Sequence, residues 1–344
     1  MIGRGWDSWI ASCVSPGVWA IAIPFPGALG YSFSYTVRVP GGVIVIDLGW
    51  DSEEAWQVFL AGLSHAAVGL NEIIGVVATH VHPDHYGLAG RIRASTSAWI
   101  AVHEAELIQI ALDEQDRDDK VASLIRWLSQ CGVPDDDQDL LSEVHRLVAS
   151  MVDEQPDLLL SDGAAVPGTD GALIAIHTPG HSPGHLCFHD RSRGLVFSGD
   201  HLLPKTRTHV GKRPGNGADP LGDFTGSLQR LAGIDSSTPL LCLPGHEWSF
   251  DRMRERSEEL SRRSARRLNE VEGTVLDGGD TVWEVTRRLS WSRPVDDFSG
   301  RAKRQVLGET YAHLIRLERI GRLGKHFPDG DETSPIVWES TAPS

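Results

Sequence analysis

The chain has 344 residues, 40% of them apolar and 23% charged, and its 32 Lys and Arg against 47 Asp and Glu leave a formal charge of −15. Such values fit a globular chain of one large and one small domain and exclude a disordered, collagenous or small disulfide-stapled protein. The acidity weighs against binding a nucleic-acid backbone, and apolar runs such as Val43-Ile44-Val45-Ile46 fall far short of the roughly 20 residues of a membrane span. The four cysteines (Cys13, Cys131, Cys187, Cys242) form no Cys-x-x-Cys pair, and the start of the chain has no sustained apolar h-region. A cytoplasmic protein with reduced thiols is the expectation.

In chain order, Val18–Ile23, Tyr31–Val39 and Val43–Asp47 read as strands punctuated by Pro and Gly. Residues 52–66 read as a helix capped by Ser52, with Ala55, Trp56, Phe59, Leu60 and Leu63 on one face. A buried strand Ile73–Ala78, a helix near 86–94 and a short strand at 98–102 follow, an alternation that argues for an α/β fold. Residues 104–155 read as an insertion of two or three helices, broken at Gly132-Val133-Pro134, with acidic clusters at 113–119 and 135–139 that suit a solvated face or a lid. Strand patterns return at 172–178, 185–189, 195–198 and 239–243. After a boundary near 250 come an Arg-rich helix at 251–272, a capping box Thr281-Val-Trp-Glu284, and helical patterns at 282–290 and 301–320. The expected domains are therefore 1–250, a small all-helical domain 251–330, and a frayed tail 331–344.

Three of the 15 His fall in Thr79-His80-Val81-His82-Pro83-Asp84-His85, directly after a buried strand. The His-x-His-x-Asp-His spacing puts three imidazoles and a carboxylate on one loop stiffened by Pro83, the donor types that a borderline divalent metal takes from a rigid base. Further along, His181 in Thr178-Pro179-Gly180-His181, Asp200 in Ser198-Gly199-Asp200 and His246 in Leu243-Pro244-Gly245-His246 each follow a strand in a Gly-containing turn. Loops at one edge of a sheet converge, so seven donors from four loops can meet. The other His, including His185, His201 and His313, read as structural or solvated.

From about residue 18 to 250, with all five ligand motifs in family order, the chain resembles the metallo-β-lactamase superfamily, in its dinuclear branch of glyoxalase-II-type enzymes and lactonases. The resemblance implies a four-layer αββα sandwich with a helical insertion and two divalent metal ions, zinc favoured, with iron or manganese open. It implies that His80, His82 and His181 hold the first ion, that Asp84, His85 and His246 hold the second, and that Asp200 bridges them. It matches Asp47 to the family's buried Asp that supports the ligand loop from behind. Two such ions would make hydroxide available near neutral pH and polarise a carbonyl, with Asp84 orienting the nucleophile or passing its proton.

The Asp at position 200, where the best-known antibiotic-cleaving members carry Cys, argues against a dedicated β-lactamase. The stretch 204–213 holds four firm positive charges, and Lys205, Arg207, His209 and Lys212 are candidates for contacting an anionic substrate tail. Residues 281–323 resemble the winged-helix tail of one branch, some members of which cleave RNA; packing or homodimerisation is the plainer use of such a tail. The expected activity is hydrolysis of an ester-like bond, a thioester or lactone, in a small anionic molecule. An endoribonuclease is the alternative, and a non-catalytic sensor is a third reading.

Overall fold

The computed structural model describes residues 10–26, 29–110, 114–234, 240–331 and 333–341. Residues 1–9, read above for a leader, residues 111–113 of the expected insertion, residue 239 at the head of the expected strand 239–243, and residues 332 and 342–344 of the tail lie outside the described residues.

Alternation along the strands decides the architecture. The first sheet runs in sequential order through β1 (Ala11–Ser15), β2 (Val18–Pro24), β3 (Tyr31–Val39), β4 (Gly42–Ile46), β5 (Ile73–Val77), β6 (Trp99–Val102) and β7 (Leu158–Leu159). Strands β1 to β4 pair antiparallel and β4 to β7 parallel. The second sheet holds β8 (Leu173–His177), β9 (Leu186–Asp190), β10 (Leu195–Gly199) and β11 (Leu241–Pro244), antiparallel except for β10 with β11.

One set of alternate residues (Ile44, Ile46 and Val77 from the first sheet, Ala175, Phe188, Phe197 and Leu243 from the second) meets between the sheets. The opposite set of the first sheet, with Val43, Val45 and Val76, packs on Phe59 and Leu63 of α1 (Glu53–His65) and Ile92 of α3 (Ala89–Ser95). The opposite set of the second, with Cys187, Val196 and Cys242, packs on Leu221, Phe224 and Leu228 of α6 (Pro220–Ala232) and Leu260 of α7 (Met253–Leu276). Each sheet thus has two apolar faces and is covered on both, which makes the four-layer αββα sandwich. The short helix α2 (Pro83–Tyr86) directly precedes α3, where the sequence suggests one helix near 86–94.

The insertion is α4 (Glu114–Gln130) and α5 (Gln138–Ala149), and Ser52 caps α1 as expected. The C-terminal part is not all helical. After α8 (Val282–Arg288), capped by Thr281, and α9 (Gly300–Arg319), the strands β12 (Leu323–His326) and β13 (Val337–Ser340) pair as an antiparallel ribbon. Trp338 of that ribbon is 2% exposed, which draws the segment into a strand that helical periodicity does not anticipate. The insertion and the C-terminal part share one core: Trp127, Leu128, Leu140 and Val144 pack with Val271, Val282, Leu307, Leu314 and Trp338. Among the described residues no helix is long and apolar enough to cross a membrane.

Candidate metal centre

The strands β4, β5, β8, β10 and β11 all finish at one edge of the sandwich, and the loops that leave them carry Asp47, the 79–85 segment, His181, Asp200 and His246. The structure brings all seven expected metal donors together there. Nε2 of His181 lies 3.2 Å from Nε2 of His80 and 3.0 Å from Nδ1 of His82. Nε2 of His246 lies 3.4 Å from Oδ2 of Asp84 and 3.3 Å from Oδ1 of Asp200. Nε2 of His85 lies 3.4 Å from the same Oδ1 of Asp200, and Oδ2 of Asp200 lies 3.7 Å from Nε2 of His181. Asp200 therefore sits between the His80/His82/His181 set and the Asp84/His85/His246 set, each of which has donors close enough to share one ion.

Four imidazoles are held in one tautomer from behind. Nδ1 of His80 meets the Thr79 hydroxyl at 2.9 Å, and that hydroxyl donates to Oδ2 of Asp47 at 2.8 Å. Nδ1 of His85 meets the same Asp47 oxygen at 2.9 Å. Nδ1 of His181 donates to the His209 carbonyl at 2.8 Å, and Nδ1 of His246 to the Tyr31 carbonyl at 2.7 Å. With Nδ1 engaged from behind, each ring turns Nε2 inward toward the site. The lone pairs of His80 and His181, facing one another at 3.2 Å, repel unless a cation lies between them. A tetrahedral ion with bonds of 2.0–2.1 Å would set its nitrogens about 3.3 Å apart, so the residues fit a divalent metal. Nε2 of His85 and Oδ1 of Asp200 are buried without a hydrogen-bond partner, which suits atoms that would hold a metal ion. The backbone leaves room as well: a Cβ on Gly245 would come within 2.6 Å of both Oδ1 of Asp200 and Cε1 of His85.

Charge divides the two sets. Burial holds His80 and His82 well below the usual range, helped by their neighbouring imidazoles, and burial also lowers His181. These rings are ready for a metal at neutral pH. Burial opposes the charge of His85 and His246 too, but Asp200 and Asp84 outweigh it, raising His85 well above its ordinary value and His246 to about 10. In turn these imidazoliums hold Asp200 and Asp84 well below the carboxylate range in spite of burial. An ion entering the second set must displace the protons of both His85 and His246, whereas the first set offers bare nitrogens. On acidification from about pH 9 to pH 6, dialysis against a weak chelator should strip the second ion first, with affinity falling up to about a hundredfold per pH unit. Metal content by elemental analysis should pass from two toward one per chain; parallel loss of both ions would contradict this account.

Glu106 supports the candidate site and is missed by sequence reasoning. It is fully buried at the start of the expected insertion. One carboxylate oxygen accepts the Val81 amide at 3.0 Å; the other accepts the Ser182 hydroxyl at 2.6 Å and the Gly184 amide at 2.7 Å. It clamps the loop of His80 and His82 to the loop of His181. Nothing in the local sequence marks it, because its partners are far away along the chain.

Of the expected substrate contacts, Lys205 and Arg207 are exposed on the surface, with Arg207 3.4 Å from Glu309. The Lys212 ammonium is tied to the carbonyls of Asn216 and Gly217, and His209 serves the site through its carbonyl. Arg213, in the same basic stretch, is placed differently. Its guanidinium donates to the neutral amide of Gln109 at 2.7 Å, and its charge reaches both His82 and Glu106.

A His and Asp cluster at the strand ends of an αββα sandwich is the architecture of a metallo-hydrolase. A family model described as the metallo-beta-lactamase superfamily matches residues 27–268. The chain is 28% identical over 259 residues to the probable metallo-hydrolase YqjP of Bacillus subtilis (strain 168), a match covering 71% of this chain and 79% of that protein. It is 32% identical over 183 residues to the acyl-coenzyme A thioesterase MBLAC2 of Homo sapiens, covering 51% of this chain and 56% of that protein, so the match spans little more than half of that relative. The metallo-beta-lactamase family protein TTHA1429 of Thermus thermophilus superposes with a TM-score of 0.79 at 26% identity, over 95% of this chain and 100% of that one. The chain belongs to the metallo-beta-lactamase superfamily, and with it to the metallo-hydrolases.

Proposed function

We propose that the protein hydrolyses a thioester of a small anionic substrate, with two divalent ions, zinc favoured, held by His80, His82 and His181 and by Asp84, His85 and His246. Asp200 lies between the two sets at 3.3–3.7 Å from three of their nitrogens, and that single placement carries the reading. Ions held there would polarise a scissile carbonyl and lower the pKa of water. The chain's own part is to orient and to receive. Asp84, kept ionised by His85 and His246, can accept a hydrogen bond from the attacking water and steer its proton. Arg213 supplies the cation for the substrate's anionic group. It is a partly buried guanidinium whose hydrogen bond goes to a neutral amide, so a carboxylate or phosphate brought alongside would gain a charge-assisted contact. The likeness to a protein named as an acyl-coenzyme A thioesterase favours the thioester over the lactone.

Four of the arginines of α7 are already engaged by partners within the chain, which weighs against an RNA-cleaving reading. Arg256 is spent on Glu259 and on the carbonyls of Leu203, Lys205 and Thr206. Arg262 pairs with Glu258, Arg263 with Glu259 and Arg267 with Glu270.

The test is a turnover panel of acyl-coenzyme A, acyl-homoserine lactone and short RNA on zinc-loaded protein, with Arg213→Gln beside the wild type. Thioester cleavage is expected, lost on chelation and restored by zinc. In Arg213→Gln, KM should rise about tenfold or more while kcat changes little, the loss of one hydrogen bond to a charged group. RNA cleavage without thioester turnover, at two ions per chain, would overturn the assignment.

A further inference from the structure

Strand β3 runs on past its neighbour. Its ladder with β4 begins at Tyr35, opposite Ile46, while its ladder with β2 continues to Tyr31. The edge beyond β4 is taken by the loop that leaves β11 in the second sheet. The Phe33 amide donates to the Gly245 carbonyl at 2.8 Å, and the Tyr31 carbonyl accepts from Nδ1 of His246 at 2.7 Å. Alternate residues of a strand turn their backbone groups to the same edge, so Tyr31 and Phe33 meet this loop together.

Side chains complete the grip. The Tyr35 hydroxyl donates to the Pro244 carbonyl at 2.7 Å, and the Tyr31 hydroxyl to the Glu247 carbonyl at 2.5 Å. Each of the residues 244–247 thus has an atom held by β3. From the opposite face of the strand, the hydroxyl of the buried Ser32 donates to the Asp84 carbonyl at 2.5 Å. The phenols are fixed in direction: the rings of Tyr31, Phe33, Tyr35 and Phe197 follow one another at 5.1, 5.7 and 5.3 Å, tilted or edge-on. Tyr35 is 3% exposed, and burial, with Asp47 nearby, raises its phenol well above the ordinary range, so it stays a donor. Glu247 has a φ of 74°, a left-handed backbone that a non-glycine residue holds at a cost. The Tyr31 hydroxyl on its carbonyl, and the amides of Lys205 and Thr206 on its carboxylate, keep it there.

The His80/His82/His181 set leans on other groups: Thr79 with Asp47, Glu106 and the His209 carbonyl. We propose that β3 is the template for the second ion, and that Tyr31, Ser32 and Tyr35 are positioning residues whose hydroxyls set His246 and Asp84. None of the three is a metal donor. Each acts through a carbonyl on, or within two residues of, Asp84 or His246. The proposal rests on the two-ion reading above and adds a division to it. The second ion's place depends on the seating of the β11 loop against β3, so loosening that seating releases one ion and spares the other.

The experiment uses the full chain loaded with zinc, and with cobalt for spectroscopy. Competition with a chromophoric chelator resolves the two ions in the wild type, Tyr31→Phe, Ser32→Ala and Tyr35→Phe. In each variant the second ion should weaken about tenfold or more, and the first by less than about threefold. Tyr31 is half-buried, so Tyr31→Phe carries the test should Tyr35→Phe fail to fold. Tyr311→Phe, the same truncation in the C-terminal core, should leave both ions at wild-type affinity. In the cobalt protein, the metal-shifted NMR signal of the His246 Nδ1 proton should move in Tyr31→Phe while that of His181 stays in place. With two ions in the wild type, equal loss of both ions in the variants, or wild-type affinities in Tyr31→Phe and Ser32→Ala, would overturn the proposal and leave the two-ion reading standing. A wild type that holds one ion or none would overturn that reading, and the proposal with it.

Discussion

Asp200→Ala is expected to lose about 10³-fold or more in kcat/KM, roughly 4 kcal/mol of transition-state stabilisation. The reason is position. Its two oxygens face Nε2 of His85, His246 and His181, so its removal weakens both donor sets at once and takes away a negative charge that helps to hold two cations side by side. The variant should also bind fewer than two ions per chain after dialysis, and His85 and His246 should titrate nearer the ordinary imidazole range because the carboxylate that raises them is gone. Asp200→Asn keeps the volume and separates the charge from the packing. Elemental analysis and NMR titration of the ring protons would check both. Two tightly held ions with activity within tenfold of wild type would show that Asp200 is not the shared donor.

Asp47→Asn should weaken the second ion by about 10- to 100-fold, the usual cost of removing a group that orients a metal ligand. One carboxylate here serves three donors: Oδ1 accepts the Thr79 amide at 2.7 Å, and Oδ2 accepts the Thr79 hydroxyl and Nδ1 of His85. An amide has one oxygen for the same work and presents an NH2 toward a donor. Because His80 leans on Asp47 only through Thr79, the first ion should suffer less than the second. Activity should return at high zinc, a rescue that a misfolded protein would not give. Asp47→Ala should be worse, since position 47 has a φ of 57°, a left-handed backbone that Asp tolerates better than Ala. Competition with a chromophoric chelator measures each ion; wild-type affinity in Asp47→Asn would refute the supporting role.

The donors His80, His82, Asp84 and His85 were legible because they are local: a six-residue spacing carries its own geometry. His181, Asp200 and His246 were legible because each follows an apolar run in a Gly-containing turn, in the order of the family's motifs. Glu106 was not, since its three partners lie 25 to 78 residues away and an isolated Glu in a helical stretch reads as solvated. Arg213 stood in the basic stretch, but composition could not separate it from Lys205 and Arg207, which point elsewhere. Among the elements, α6 was hidden by Gly222 and Gly226, although Asp219 caps it, Pro220 opens it, and Leu221, Phe224, Leu228 and Leu231 recur on one face. Strand β1 is an edge with an exposed Cys13 and shows no clear alternation.

The core shared by α4 and α5 with the ribbon and helices beyond residue 253 also sets an order of assembly on the ribosome. Trp127 and Val144 are made 144 and 127 residues before Val271, and further still before Trp338. At roughly 5–20 residues per second, these apolar faces must wait on the order of ten seconds for their cover. The sandwich can close meanwhile from its own strands, while the helical module stays open until α9 and the ribbon emerge. A chain stopped near residue 250 would keep every metal donor and still leave Leu128, Leu140 and Val144 without a partner surface, a substrate for chaperones and proteases. The sandwich with its inserted helices therefore depends on the C-terminal part to cover this face.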